Sequence, residues 1–367
     1  MKKNGWMLPL LSFFLVLLLV GCGNGAKISE LIQQGDDAYA RGDYEAAVTA
    51  YDEILELDAE RDEIYNNRGM AKLNMSDYEA AALDFTKAIE LEGNTDIYYN
   101  NRGLVYYYLG QYESALPDFA KAIELNGRDA TYYSNRGDAY NSLGRYDEAL
   151  ADYNEALRID DTKIATINNR ASVYFKQEKY EEAIADYTQA IEKQPAGDVV
   201  YWNRGEAHRM LGQYEEALAD YNQYVQNAPA GMTVDFLFKR AEVLTALEQY
   251  DAAIEDFTTA ISKEEDNILL YQGRANVYNR KGAYQEAISD FDRFLAETED
   301  AIALGNRGYC HLQLKELDAA LNDLNRCIEL KSDYAWAYYT RGQILQKLER
   351  YEEAKADYDK ANDLTVE

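Results

Sequence analysis

Side chains that do covalent or metal chemistry are scarce in this sequence of 367 residues, which has three cysteines and two histidines. Cys22 follows an apolar run near the start, while Cys310 and Cys327 stand far down the chain. His208 and His311 are well separated from each other. There is no Cys/His spacing suited to a metal, no glycine loop that would cradle phosphate, and no nucleophile elbow. Carboxylates are plentiful, with 66 Asp and Glu against 37 Lys and Arg for a formal charge of −29. They are spread along the chain, as on a solvated helical surface. Catalysis has little to stand on, and no cofactor is expected. The acidic field repels nucleic acid phosphates, which excludes nucleic acid as a partner and favours neutral or basic proteins and extended peptides.

One pairing of residue types does recur. Arg68, Arg102, Arg136, Arg170, Arg204, Arg240, Arg274, Arg307 and Arg341 are each followed, at one fixed distance, by an aspartate: Asp84, Asp118, Asp152, Asp186, Asp220, Asp256, Asp290, Asp323 and Asp357. Guanidinium and carboxylate form two-pronged hydrogen bonds, so this series reads as a structural ladder of forks rather than a ligand site. Six of the arginines follow an asparagine: Asn67, Asn101, Asn135, Asn169, Asn203 and Asn306. An asparagine amide offers two donors and an acceptor, which suit the backbone amides of an extended peptide.

The elements that position these side chains follow from the period. Asn67-Arg68-Gly69, Asn101-Arg102-Gly103, Asn135-Arg136-Gly137, Asn169-Arg170-Ala171 and Asn203-Arg204-Gly205 recur every 34 residues. The series continues through Ala241, Ala275, Gly308 and Gly342, with two irregular steps, Gly205 to Ala241 and Ala275 to Gly308. Tyr78, Tyr112, Tyr146, Tyr180 and Tyr214 come nine residues after the small one, and Ala81, Ala115, Ala149, Ala183 and Ala217 three further on. Gly35, Tyr44, Ala47 and Tyr51 supply an earlier copy. Turn glycines at Gly110, Gly144, Gly212 and Gly282 divide the units, which excludes a heptad coiled coil. With only four prolines and 33 tyrosines, the composition is helical and packed by aromatic rings.

This pattern resembles the tetratricopeptide repeat, a helix-turn-helix unit of 34 residues. The resemblance implies an all-α fold, a right-handed α-solenoid of about ten repeats over residues 28–367, starting at 28, 62, 96, 130, 164, 198, 234, 268, 301 and 335. It implies that small residues at positions 8 and 20 let paired helices approach, and that positions 2, 5, 6, 9, 12 and 13 line a concave peptide-binding groove. The asparagines hold position 6. They look like the asparagine ladder in the superhelix of the O-linked N-acetylglucosamine transferases, whose catalytic domain has no counterpart here. The alternative is that Asn-Arg-Gly is a housekeeping variant of the repeat. Trp202 and Phe175 hold groove positions where a ring can anchor a partner's side chain. The outward faces of the first and last repeats are polar, with Glu30 and Asp37 at one end and Lys355 and Asn362 at the other, as caps of a stacked array should be. His208 and His311 both fall at position 11 and read as packing residues. Cys310 and Cys327, near opposite ends of one hairpin, should remain free thiols.

The start of the chain is a separate object. Lys2 and Lys3 precede an apolar run from Met7 to Val20. At about 14 residues it falls short of the ~20 needed to span a bilayer, which suits the apolar region of a signal peptide. Leu19-Val20-Gly21-Cys22 resembles the lipobox of bacterial lipoproteins. That resemblance implies removal of residues 1–21, diacylglyceryl attachment to the Cys22 thiol, a tether over 22–27, and a place at the cell membrane or outer membrane on the extracytoplasmic face. An uncleaved N-terminal anchor is the other reading. The expected function is a lipid-anchored envelope scaffold, not an enzyme. A solute-binding lipoprotein of a transport system would need a two-lobed α/β cleft, and an envelope hydrolase a catalytic constellation.

Overall fold

The computed structural model describes residues 25–195 and 198–366. Among the described residues there are only helices, turns and connecting segments, without strand. They fall into two compact units, one up to Lys193 and one from Gln194. The first holds α1 (25–40), α2 (Tyr44–Leu57), α3 (Asp62–Asn74), α4 (Tyr78–Leu91), α5 (Asp96–Tyr108), α6 (Tyr112–Leu125), α7 (Ala130–Ser142), α8 (Tyr146–Ile159), α9 (Ile164–Lys176) and α10 (Tyr180–Lys193). The second holds α11 (Asp198–Met210), α12 (Tyr214–Asn227), α13 (Val234–Ala246), α14 (Tyr250–Lys263), α15 (Ile268–Lys281), α16 (Tyr284–Leu295), α17 (Ala301–Gln313), α18 (Leu317–Leu330), α19 (Ala335–Lys347) and α20 (Tyr351–Val366). From α3 onward each odd-numbered helix opens at a residue where the spacing opens a repeat. The first differs: α1 is helical from residue 25, the first described, so residues 25–27 are helical where a tether was expected.

Each unit is a stack of five hairpins, in which the second helix of one hairpin packs on the first helix of the next. The hairpins turn at one equivalent residue. Gly42, Ser76, Gly110, Gly144, Glu178, Gly212, Glu248, Gly282, Lys315 and Glu349 all take left-handed φ between 59° and 84°. This conformation returns the next backbone N–H to the helix end, as when Gln111 donates to the Tyr106 carbonyl at 2.8 Å. Asp43 and Asp77 then cap their second helices by accepting from the Ala46 and Ala80 N–H groups.

Within a hairpin the core forms where a small residue meets a ring. A Cβ built on Gly103 would lie 2.7 Å from the Phe119 ring, so the helices approach there only because glycine has no side chain. Phe119 is fully buried beside Ala115 and Ala122, and burying such a ring contributes about 1.5–3 kcal/mol.

Both irregular spacings accommodate a large ring where six other hairpins have alanine, the first Ile54 and the ninth Cys327. After α12, Tyr224 packs on Phe236 and Trp202, with centroids 5.1 and 5.9 Å apart. The longer link folds into a one-turn 3-10 helix, Pro229–Gly231, whose Gly231 carbonyl accepts from the Tyr224 hydroxyl at 3.2 Å. In the shorter case, Phe294 is buried and α16 ends one residue later, at Leu295.

Candidate functional site

The arginine forks are closed in every hairpin that has one. Arg102 donates from Nε and Nη2 to the two carboxylate oxygens of Asp118, both at 2.7 Å. Arg68, Arg136, Arg170, Arg204, Arg240, Arg274, Arg307 and Arg341 do the same with their own aspartates. The aspartates are buried and the guanidiniums half-buried, and the paired bonds hold the Arg136 guanidinium charged, above its ordinary value. Arg68, Arg102, Arg170, Arg274, Arg307 and Arg341 are among the arginines that add a third bond, which the sequence did not suggest. Their Nη1 reaches the second helix of the preceding hairpin, as in Arg170 to Asn154 at 2.7 Å and Arg274 to Thr258 at 3.0 Å. The ladder therefore joins helices within a hairpin and hairpins to each other, which makes it scaffold.

The six candidate asparagines sit one residue earlier on the first helices, and several stitch one hairpin to the one before. Asn101 Nδ2 donates to Asn66 Oδ1 at 2.9 Å, and Asn135 Nδ2 to Asn100 Oδ1 at 2.8 Å. Asn100 Nδ2 reaches Asn101 Oδ1 at 3.4 Å, and Asn66 Nδ2 reaches Asn67 Oδ1 at 3.3 Å. Five amides thus form one relay across α3, α5 and α7. Asn169 Nδ2 donates to Asp138 Oδ1 at 2.8 Å, and Asn306 Nδ2 to Asn276 Oδ1 at 3.1 Å. Asn101 is 5% exposed, whereas Asn67, Asn135, Asn169, Asn203 and Asn306 are half-buried. An open row of solvated amides was expected; most of these amides already have protein partners. The partners that sequence reasoning missed, Asn66, Asn100, Asp138 and Asn276, occupy positions 5 and 9. Their spacing of 30–35 residues from the asparagines is the signal that could have found them.

The aromatic candidates are also engaged. Phe175 is half-buried and meets Tyr180 edge-on, with centroids 5.3 Å apart. Trp202 packs among Tyr221, Tyr224 and Phe236, and the Lys239 ammonium lies 5.0 Å from its ring centroid. It joins the core of its unit instead of standing free. Lys239 occupies position 6 and reaches back to Glu206 at 3.3 Å, the same stitch made with charge in place of an amide.

Tyrosine hydroxyls bring further carboxylates onto this face. Tyr51 donates to Asp36 at 2.8 Å, Tyr153 to Asp138 at 2.7 Å, and Tyr221 to Glu206. Burial raises the Asp138 carboxyl above its usual range, while the bonds from Tyr153 and Asn169 pull it back. Two clefts open on the first helices. One of about 320 Å³ lies between α1 and α3, lined by Asp36, Tyr39, Tyr51, Asn67 and Met70. The other, of about 390 Å³, lies between α13 and α15 beside Phe238 and Gly273.

The remaining reactive groups are structural. His208 and His311 each place Nδ1 2.6 Å from a side chain across the hairpin turn, Gln213 and Glu316 respectively. Cys310 and Cys327 are free and buried, which pushes their thiols up to about 12 and about 11. No group of histidine, cysteine and carboxylate suited to a metal ion occurs among the described residues. Cys22 lies outside the described residues.

The sequence pattern of the Tetratricopeptide repeat family matches residues 100–163, 168–231 and 238–301. Related repeat patterns match 35–76 and 308–349, and 62–95 and 337–365. The chain is 29% identical over 130 residues to RNA polymerase II-associated protein 3 of Homo sapiens, covering 33% of this chain and 20% of that protein. It is 30% identical over 118 residues to Tetratricopeptide repeat protein 6 of Homo sapiens, covering 32% and 23%. It thus spans less than a quarter of the length of these curated relatives. Its fold is similar to the C-terminal part of a TPR repeat-containing protein of Cytophaga hutchinsonii, with a TM-score of 0.55 at 15% identity over 66% of this chain and 98% of that one. It is also similar to pilF of Pseudomonas aeruginosa, with a TM-score of 0.51 at 19% identity over 57% and 95%. Family patterns that together cover more than half of the chain, over hairpins with this turn and this core, establish that it belongs to the tetratricopeptide repeat family.

Proposed function

We propose that the chain is a lipid-anchored scaffold of the cell envelope, held at the membrane through Cys22, that binds proteins or extended peptides on the first-helix faces of its repeats. The amide relay across α3, α5 and α7 carries the binding half. Each linking amide spends one N–H and one lone pair in the relay and retains one of each. Asn67 and Asn135, the two ends of the relay, are half-buried and keep more, Asn67 both of its N–H groups and Asn135 both of its lone pairs, and a peptide backbone presents the complementary donors and acceptors. Ile97 and Tyr108, 46% and 56% exposed on α5, frame the relay with apolar surface for a partner's side chains.

The anchoring half rests on Leu19-Val20-Gly21-Cys22 after the apolar run. No described helix is long and apolar enough to cross a membrane. The all-helical described residues offer no α/β cleft of the kind a solute-binding lipoprotein needs.

Photo-cross-linking in intact cells tests the binding face. A benzophenone residue in place of Asn135 should yield discrete adducts, and one in place of the exposed Glu124 on α6 should not. Equal adducts from both positions would remove the first-helix face as the binding surface. A fatty-acid analogue should label the parent chain and fail to label Cys22→Ser. Unchanged labelling of that variant would end the lipoprotein reading.

A further inference from the structure

At position 6 a side chain usually reaches back to the preceding first helix. Asn101, Asn135, Asn169, Lys239 and Asn306 all do so. The equivalent residue of α15 is Gly273, which has nothing to reach with. A Cβ there would lie 2.5 Å from the Phe257 ring, so the glycine also lets that ring rise between the helices. Without the stitch, a cavity of about 390 Å³ separates α13 from α15. Pockets that hold small ligands or anchoring side chains occupy ~300–1,000 Å³.

The lining of this cavity is apolar at depth and charged at the rim. Phe238 and Phe257 meet edge to face at its base, with centroids 5.5 Å apart and planes at 90°. Val277 is buried against it, and Leu269, at the mouth, is 57% exposed. Exposed Leu269 on α15 is followed at the equivalent position of α17 by Ile302, also exposed. Glu242 and Arg280 stand at the rim. Glu242 is drawn to Arg209 at 3.9 Å. That approach carries no hydrogen bond, whereas the Arg280 side chain makes no hydrogen bond or ion pair among the described residues, so Arg280 is the unpaired cation at the rim.

We propose that this cavity is a side-chain pocket that takes one bulky apolar residue of a bound peptide of neutral or basic overall charge, with a single acidic residue of that peptide beside it meeting Arg280. The inference rests on the peptide-binding reading above and names the chemistry of one subsite in the second unit. The apolar side chain supplies most of the affinity by leaving water. The carboxylate next to it selects partners and sets register, and its contribution weakens with salt because Arg280 is exposed.

The test is a phage-displayed peptide library selected on the full-length chain in mild detergent. Enriched peptides should carry Trp, Phe or Leu next to Asp or Glu. Leu269→Asp, a change at an exposed rim position, should weaken synthetic versions of those peptides more than tenfold. Arg280→Glu should move the selection to Lys or Arg beside the same apolar residue. Thermal melts unchanged from the parent would show that both variants remain folded. Enriched peptides that bind both variants as tightly as the parent would overturn the pocket and leave peptide binding by the chain standing. No enrichment over a blank surface would remove the peptide-binding reading and the pocket with it. Concentration-dependent self-association, abolished by Arg280→Glu, would assign the cavity to a second copy of the chain and overturn a peptide occupant.

Discussion

Arg136 and Asp152 are joined by two parallel bonds of 2.7 Å between the two helices of one hairpin, with side chains 21% and 8% exposed. The position that faces Arg136 from the preceding hairpin is Ala120, so this fork acts within one repeat. Desolvation offsets much of the attraction, yet removing one partner strands the other's charge. A double-mutant cycle on Arg136 and Asp152 should give a coupling of about 0.5–3 kcal/mol. The same cycle on Arg136 and Asp118 should give a value near zero. The reverse outcome in urea melts would show that the ladder runs between repeats.

Asn101 is held at two points of the relay, where it donates to Asn66 and accepts from Asn100, and it is almost fully buried. Asn101→Ala leaves the Asn66 carbonyl and an Asn100 N–H without their partners, and a buried group so stranded costs about 1–3 kcal/mol. The variant should melt several degrees below the parent. A melt within error of the parent would mean that water replaces Asn101 at no cost.

The period, the turns and the arginine forks were legible in the sequence because each repeats with the backbone geometry that requires it. Gly103 has to be small for Phe119 to pack, and that requirement shows at one position in every unit. The amide relay was not legible. Asn67 and Asn101 lie on the face that the family leaves open, but whether an amide there is free depends on the neighbour across the stack. Asn66 and Asn100 happen to supply acceptors. Where the neighbour is Asp138 or Glu206, the same position builds a different bond. The packing of Trp202 was not legible for a related reason. The longer link after α12 folds over Tyr224, and the rings around it draw Trp202 into the core.

Cys310 and Cys327 are fully buried, and burial favours the neutral thiol in both. Thiolate is the reactive form, so a disulfide-exchange reagent at pH 8 should label neither residue in the folded chain on the timescale of minutes. Both should react at once in denaturant. Rapid labelling of one thiol under native conditions would show that the α17–α18 hairpin opens locally.

Asp138 gives the molecule a defined response to pH. Its carboxylate accepts from the Tyr153 hydroxyl at 2.7 Å and from Asn169 at 2.8 Å, and burial raises its pKa. A carboxyl with a higher pKa in the folded state holds its proton more tightly there than when unfolded. Its contribution to stability is therefore complete below the unfolded value and lost as pH rises through the folded one. Asp138→Asn keeps an oxygen that can accept both bonds and removes the charge. At pH 7 the variant should melt above the parent, because the parent ionises Asp138 at a cost the variant never meets. At about pH 3, below the ordinary carboxyl value of ~3.9, the two should melt together. The comparison is made at equal pH, so the many other carboxylates cancel. A variant that melts below the parent at pH 7, by a margin that grows with pH, would show that the ionised carboxylate strengthens the bonds from Tyr153 and Asn169 by more than its burial costs.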